Sequence, residues 1–342
     1  MSELNALIYS IQYSGIAFDK ACFMNGQYDM LIEDILPASK TFIVTPYIHH
    51  LKNFLIHKYQ GGAHFPDGAQ YDACFILLPK QKDQALYDIA YALQHLSDGG
   101  HLVLCAHKNA GGSRLANILK VFGLEADHGL SKFHCKSVVV RKTSALQKSS
   151  VLYCLQKGEQ QKNQFGYYTK PGIFGWNKID TGSELLSHYI TDELSGIGAD
   201  FGCGYGYLTD KVFQTAPNID VMDCYDVDHH ALDACRANMR ARHPDKRTSI
   251  IWHDLTLGAP NEGPSGRYQF VVMNPPFHDG KASDHAMGQK MIKTAYDMLG
   301  KYGALFMVAN NHLPYEKILE QLFFKVEILT QEKGFKIFKA LK

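Results

Sequence analysis

Ile197-Gly-Ala-Asp200-Phe-Gly202-Cys-Gly204-Tyr-Gly206-Tyr-Leu208 reads as the end of a short apolar strand, an acid, three alternating glycines and the start of a helix. Glycines at this spacing permit positive φ and let the backbone approach a ligand closely. A dinucleotide turn would place Gly-x-Gly-x-x-Gly directly after the strand to meet a pyrophosphate. Here Asp200 precedes the glycines, which suits a ligand with an ammonium group and no phosphate. The stretch therefore predicts an α/β fold of the doubly wound kind with a cofactor turn at its first strand.

Moving downstream, three acids stand at successive strand ends. A strand at Ile219–Asp226 ends 26 residues after Asp200, where an acid can accept hydrogen bonds from both hydroxyls of a ribose. Asp226 fits that position and Asp228 is its neighbour. A helix at His230–Arg242 follows, with Asp228 as cap. A third strand, Ser249–Trp252, leads to Asp254, placed to accept from an adenine amino group. S-adenosylmethionine carries an ammonium group, a ribose and an adenine, and is the cofactor this order of acids predicts.

A fourth strand runs into Phe270-Val-Val-Met-Asn274-Pro275-Pro276-Phe277. Proline stiffens the turn by fixing φ and removing a donor. The Asn274 side-chain carbonyl and the Pro275 backbone carbonyl can each accept from an exocyclic NH2, and Phe277 offers a face for stacking a planar group. The expected catalysis is alignment of a planar nitrogen for in-line attack on a sulfonium methyl, which requires no strong general base.

The chain contains 342 residues, enough for two domains, and the two halves resemble each other. Tyr71–Lys80, a helix carrying Ala85, Ile89 and Leu93, and a strand at His101–Ala106 parallel Tyr268–Phe277, a helix carrying Met287, Met291 and Ala295, and a strand at Ala304–Ala309. Both halves close on basic strands, Lys136–Lys142 and Lys336–Lys342. The expected layout is a domain over 1–145, a basic linker over 146–165 with one short strand at Val151–Leu155, and a catalytic domain over 166–342. The first half has Leu77-Leu78-Pro79-Lys80 where the second has the asparagine motif, and Phe42–His49 stands roughly where a glycine turn is expected. That half reads as a degenerate copy without a cofactor site.

Eight scattered cysteines with no Cys-x-x-Cys pair argue against a zinc site, so no metal is expected, and suit a reducing cytoplasm. Met1–Tyr13 lacks the pattern of a signal peptide, and apolar runs are strand-sized, so no membrane partner is expected. Net charge is only +1, yet Leu130–Lys178 carries nine cations against Glu159 alone, or +8, leaving −7 for the rest. Such a band can bind phosphates or can be a solvated linker. Its Lys142 and Lys170 are candidates for contact with a nucleic acid.

Taken with Phe174, Ile179-Asp180-Thr181-Gly182-Ser183, Asn274–Gly280 and Val308–Tyr315, these motifs resemble the bacterial ribosomal RNA small-subunit guanine-N2 methyltransferase C family. The likeness is specific from Phe174 onward and faint before it. It implies two tandem Rossmann-like class I methyltransferase domains, each a mainly parallel seven-stranded sheet with helices on both faces. It also implies that Gly202, Gly204 and Gly206 line the cofactor, that Asp226 holds its ribose, and that Asp180 and Gly182 cover it. Asn274, Pro275 and Phe277 are then catalytic, and Pro276 with Phe277 touches the substrate. The implied substrate is a guanine in ribosomal RNA, extruded from its stack at a cost of a few kcal/mol, within the small ribosomal subunit. Alternatives are a large-subunit guanine, an adenine N6, a protein glutamine, or a ribosome-assembly protein with a vestigial site. His312 leans towards the large-subunit family, while Asp279-Gly280 and Pro314-Tyr315 lean towards the small-subunit one.

Overall fold

The computed structural model describes residues 2–260, 266–276 and 282–342, with the backbone alone for 282–284. Two units divide the chain, Met1–Glu159 and Gln160–Lys342. In the first, the elements run α1 (Ser2–Ser14), β1 (Ala21–Met24), β2 (Thr41–Val44), α2 (Ile48–Ile56), β3 (Gln60–Gly62), β4 (Tyr71–Leu77), α3 (Lys82–His95), β5 (Leu96–His107), α4 (Leu115–Val121), β6 (His128–Lys132), β7 (Cys135–Arg141) and α5 (Lys148–Gly158). The second opens with the short pair β8 (Gln161–Lys162) and β9 (Tyr168–Thr169), followed by α6 (Thr181–Ser187), β10 (Gly196–Phe201), α7 (Tyr207–Thr215), β11 (Ile219–Asp226), α8 (His229–Arg242) and β12 (Arg247–Trp252). It closes with β13 (Tyr268–Met273), α9 (Ala282–Met298), β14 (Leu299–Asn310), α10 (Glu316–Leu322), β15 (Lys325–Glu332) and β16 (Phe335–Leu341).

Each unit holds one seven-stranded sheet, in the orders β3-β2-β1-β4-β5-β7-β6 and β12-β11-β10-β13-β14-β16-β15. The order is the same in both. Among the described strands of these two sheets, only β7 and β16 run against the strands on both sides. Parallel strands covered on both faces need near-continuous apolar sequence, and Phe270–Met273 is buried without interruption. One face of the second sheet packs against α6, α7 and α8, the other against α9 and α10. The duplicated sheet order is the architecture the sequence predicts.

Three local expectations change. Val151–Leu155 is not a strand; it lies within α5, where Val151, Cys154 and Leu155 are buried at helical spacing while Leu152 is 58% exposed. The all-apolar run Val-Leu-Tyr-Cys-Leu hid that period. Much of the expected linker thus belongs to the core of the first unit. Second, Phe42–His49 is not the counterpart of the glycine turn. It forms β2 and the start of α2, the position of β11 and α8. The counterpart of the turn is Asn25-Gly26 after β1, where no α-helix follows, only a 3-10 turn at Met30–Ile32. Third, β5 begins at Leu96 rather than His101.

A buried amide fastens the second unit behind its ligand end. Asn238, fully enclosed on α8, accepts from Tyr168 N at 2.7 Å and donates to Tyr168 O at 2.9 Å and Tyr205 O at 2.8 Å. One side chain therefore completes β9 as a strand neighbour would and anchors the glycine turn. Beside it, buried Asp210 on α7 accepts from Arg242 Nε at 2.8 Å, His243 Nε2 at 2.7 Å and the Tyr167 hydroxyl. Burial would raise the Asp210 carboxyl, but bonds from Arg242, Tyr167 and His243 outweigh it and hold it low.

Truncating Asn238 to alanine strands three backbone groups in an apolar site, and the expected loss is about 2–4 kcal/mol of stability. Urea unfolding followed by far-UV circular dichroism measures it. An unchanged midpoint would show that Tyr168 and Tyr205 find other partners.

Candidate active site

Register sets the level of the site. Phe201 at the end of β10 lies beside Tyr225 of β11 and Met273 of β13. The next residue on each strand is then Gly202, Asp226 and Asn274, three sequence-predicted positions side by side. Gly202 has φ +74°, which only glycine adopts without strain, and a Cβ there would lie 3.8 Å from the Asn274 carbonyl oxygen.

The three glycines do different work. Gly204 has φ +54° and open space where a Cβ would stand, the feature of a turn that receives a ligand. Gly206, at φ +88°, caps the start of α7, and a Cβ there would meet Cys235 Sγ at 2.9 Å. Its smallness serves close packing on α8 rather than the ligand directly. Gly182 likewise lies buried in α6, with Phe335 and Val308 at 3.2 and 3.3 Å from a Cβ.

Asp226 organises the turn. Its carboxylate accepts from Gly204 N at 2.8 Å through Oδ2 and from Asp228 N at 2.9 Å through Oδ1. Each oxygen retains a second lone pair, enough for a ribose diol. Asp200 is buried, with Oδ2 accepting from Thr209 Oγ1 at 2.7 Å and Thr209 N at 3.1 Å. Its Oδ1 has no partner among the described residues. Burial pushes the Asp200 and Asp226 carboxyls up. Burial and then the charge of Asp226 push Asp228 up to about 7, opposed by backbone N–H bonds from His230 and Ala231 and, least, by Lys170. Carboxyls whose ionised forms are disfavoured in this way gain from a cationic ligand. S-adenosylmethionine, which carries a sulfonium and an ammonium, fits this set of residues.

Asp254 caps a 3-10 turn after β12, its Oδ1 accepting from Thr256 Oγ1 at 2.7 Å and Thr256 N at 2.9 Å. Asp180, which the resemblance places over the cofactor, has two partners within the protein. It caps α6 by accepting from Ser183 N at 2.9 Å, and the same Oδ2 accepts from Asn274 Nδ2 at 2.9 Å. The second Asn274 amide proton goes to Ser183 Oγ at 2.8 Å. A carboxylate only accepts, so it selects the NH2 side of the amide and leaves Oδ1 outside both of these bonds. Sequence reasoning quoted Ser183 within its motif without assigning it a role and did not notice Thr209. The Asp180-x-x-Ser183 spacing of an N-cap was the available signal.

Pro275 is buried and Pro276 exposed. Phe277, His278, Asp279 and Gly280 lie outside the described residues. Lys142 belongs to the first unit, where its ammonium bonds the Leu96 carbonyl and pairs with Asp98 at 3.4 Å. This is a fold contact, which Lys342 repeats on Tyr296 O and Leu299 O at 2.6 and 2.9 Å. Lys170, which follows β9, is buried.

The model of the methyltransferase small domain family matches residues 164–339, and that of its N-terminal domain matches residues 17–151. The ribosomal RNA small subunit methyltransferase C of Psychromonas ingrahamii is 26% identical over 338 residues, which span 97% of this chain and 89% of that protein. Its namesake in Acinetobacter baylyi is 29% identical, over 81% of this chain and 80% of its own. Among solved structures, a T. thermophilus 16S rRNA N2-guanine methyltransferase in complex with AdoMet and guanosine aligns with a TM-score of 0.78 at 19% identity, covering 98% of this chain and 91% of that one. At that identity the likeness supports the fold. With over half of its length matched by one family model and its first unit by the companion model, the chain belongs to the methyltransferase small domain family.

Proposed function

We propose that this chain transfers a methyl group from S-adenosylmethionine to the exocyclic N2 of a guanine in small-subunit ribosomal RNA. The observation that carries the reading is the Asn274 amide, both of whose protons are held by Asp180 and Ser183. A fixed carbonyl acceptor is what a primary amine needs and what a carboxylate or carbonyl substrate cannot use. The names of the two relatives, both small-subunit enzymes, supply the RNA, and the T. thermophilus enzyme, an N2-guanine methyltransferase bound to guanosine, supplies the base.

Asp226, Asp200 and the Gly202–Gly204 backbone would hold the cofactor, with Asp254 at the adenine. When bound, S-adenosylmethionine supplies an electrophilic methyl group on a sulfonium. Asn274 Oδ1 and the Pro275 carbonyl accept from the two N2 protons and fix the nitrogen plane. Phe277 adds a stacking face. The nitrogen becomes acidic only as the bond forms, so its proton can pass to solvent without a dedicated base. Alignment and a prepared dipole therefore provide the rate.

Asp226→Ala removes the ribose acceptor and a brace of the glycine turn. Affinity for S-adenosylmethionine is expected to weaken by about 1.5–3 kcal/mol, which isothermal titration calorimetry reads directly. Asp180→Ala frees the Asn274 amide to rotate, and kcat should fall about 10–100-fold, equivalent to roughly 1.4–2.8 kcal/mol, with cofactor affinity within about twofold. Asp180→Asn keeps a helix cap and an acceptor oxygen and should restore most of the rate. Lost cofactor affinity in Asp180→Ala would support the cofactor role drawn from sequence over the role of holding the Asn274 amide.

The decisive assay offers labelled S-adenosylmethionine and the purified protein to separate unmodified small and large ribosomal subunits, followed by nucleoside analysis. N2-methylguanosine in small-subunit RNA is expected. Label in the large subunit would shift the substrate, and cofactor binding without label in either RNA would defeat the RNA assignment.

A further inference from the structure

A groove of about 800 Å3 opens in the first unit between α5, the end of α3, the start of β5 and the end of β7. Its size is that of a ligand cleft rather than a packing defect. Leu93, Leu146 and Leu152 give it an apolar floor and lip, while Arg141, Lys142 and Lys148 stand on its walls. The one acid on its lining, Asp98, is spent on Lys142 at 3.4 Å. Arg141 gives its Nε proton to Gly99 O at 3.0 Å, which fixes the guanidinium plane and leaves its terminal nitrogens for a ligand.

The groove lies within the basic band. Between Leu130 and Gly158 the chain carries six cations, Lys132, Lys136, Arg141, Lys142, Lys148 and Lys157, and no acid. The residues outside Leu130–Lys178 sum to −7, so the concentration of positive charge here is local. An apolar floor with cationic walls matches a polymer of planar bases on phosphates, since bases stack on apolar surface and phosphates meet Lys and Arg. A peptide tail from a ribosomal protein, which is basic as a class, would be repelled by the same walls.

We infer that this groove is a second RNA site, taking a single-stranded segment with a base on Leu146 and Leu152 and phosphates on Arg141 and Lys148. It deepens the proposed function and rests on RNA being the substrate. The first unit, which lacks Asp226, Asn274 and the glycine turn, then contributes affinity for the RNA whose base the second unit methylates.

The test uses the full chain and the double variant Lys148→Glu with Leu152→Glu, both exposed on α5. Glutamate is a good helix former and favourable in a first turn. Fluorescence anisotropy with a fluorescein-labelled 12-nucleotide RNA of mixed sequence, at several salt concentrations, gives affinity and salt slope. The expected result is at least a tenfold loss of affinity and a salt slope shallower by about 0.7 per phosphate contact removed, with S-adenosylmethionine affinity and melting temperature unchanged. Unchanged RNA affinity would overturn the site, as would unchanged RNA affinity with weakened small-subunit binding, which assigns the groove to a protein partner. If the double variant melts early, Lys148→Glu alone carries the same test with the same loss of one phosphate contact from the slope, since Leu152 meets a base and not a phosphate. Methylation of ribosomal RNA by the unaltered protein is scored separately, so failure of the function and failure of the groove are distinguishable.

Discussion

The reversal of strand order at β10 is the constraint on which the site depends. From β10 the chain turns one way through α7 to β11, and from β12 it returns to the other side of β10 as β13. The helices after β10 and β11 therefore cover one face and the helix after β13 covers the other. A reversal of this kind is where a crevice forms at the carboxyl ends of parallel strands. Register then sets Gly202, Asp226 and Asn274 abreast. No single side chain creates that alignment; it follows from parallel strands of matched length ending together.

The first unit has the same reversal at β1 and the same register, with Met24 beside Val44 and Ile76. The residues abreast at its strand ends are Asn25, Thr45 and Leu77. Asn25 still holds the left-handed backbone, φ +59°, and spends its amide on Asp88 at 2.7 Å. Asn25 N donates to Val44 O at 3.0 Å as Gly202 N donates to Tyr225 O at 2.9 Å. The backbone geometry of the crevice outlived its chemistry. What both copies retain is what the sheet needs, including Lys142 and Lys342, each bonding carbonyls where a long helix runs into the next strand, a place where a cation is favourable. Stability and catalysis draw on different residues of one scaffold, so one was lost without the other.

This division explains what the sequence disclosed. The glycine turn, the acids at strand ends and the asparagine motif were legible because each is contiguous and its residue types follow from local backbone demands. The boundaries of β11 and the doubled layout were legible for the same reason. Contacts between residues distant in sequence were not: Asp180 and Asn274 are 94 residues apart, Asn238 and Tyr168 are 70. The helical period of α5 was masked because apolar residues also occupy Leu152 and Tyr153 on its exposed side. The offset of Phe42–His49 by one strand arose because a copy without glycines leaves no mark for its turn. Lys142 resembled a phosphate ligand because charge runs do not reveal which ammonium groups are folded onto carbonyls.

The pairing of Asp180 with Asn274 also accounts for why the residue at 274 is an amide. A carboxylate there would place two acids within hydrogen-bond distance, and one would be driven to its neutral form. With an amide, the negative Asp180 takes an N–H from behind, and hydrogen bonds in series polarise one another. The electron density withdrawn from that N–H accumulates on Oδ1, the atom that would meet the substrate amine in the proposed reaction. As the acceptor nitrogen turns positive during transfer, the strengthened carbonyl dipole opposes it at no cost in reorganisation. Ser183 closes the remaining freedom of the amide, so the dipole is set before the substrate arrives. The cofactor side meets positive charge with buried carboxyls and the acceptor side meets it with a neutral group. The second arrangement is suited to binding an uncharged base and stabilising it only once it becomes charged.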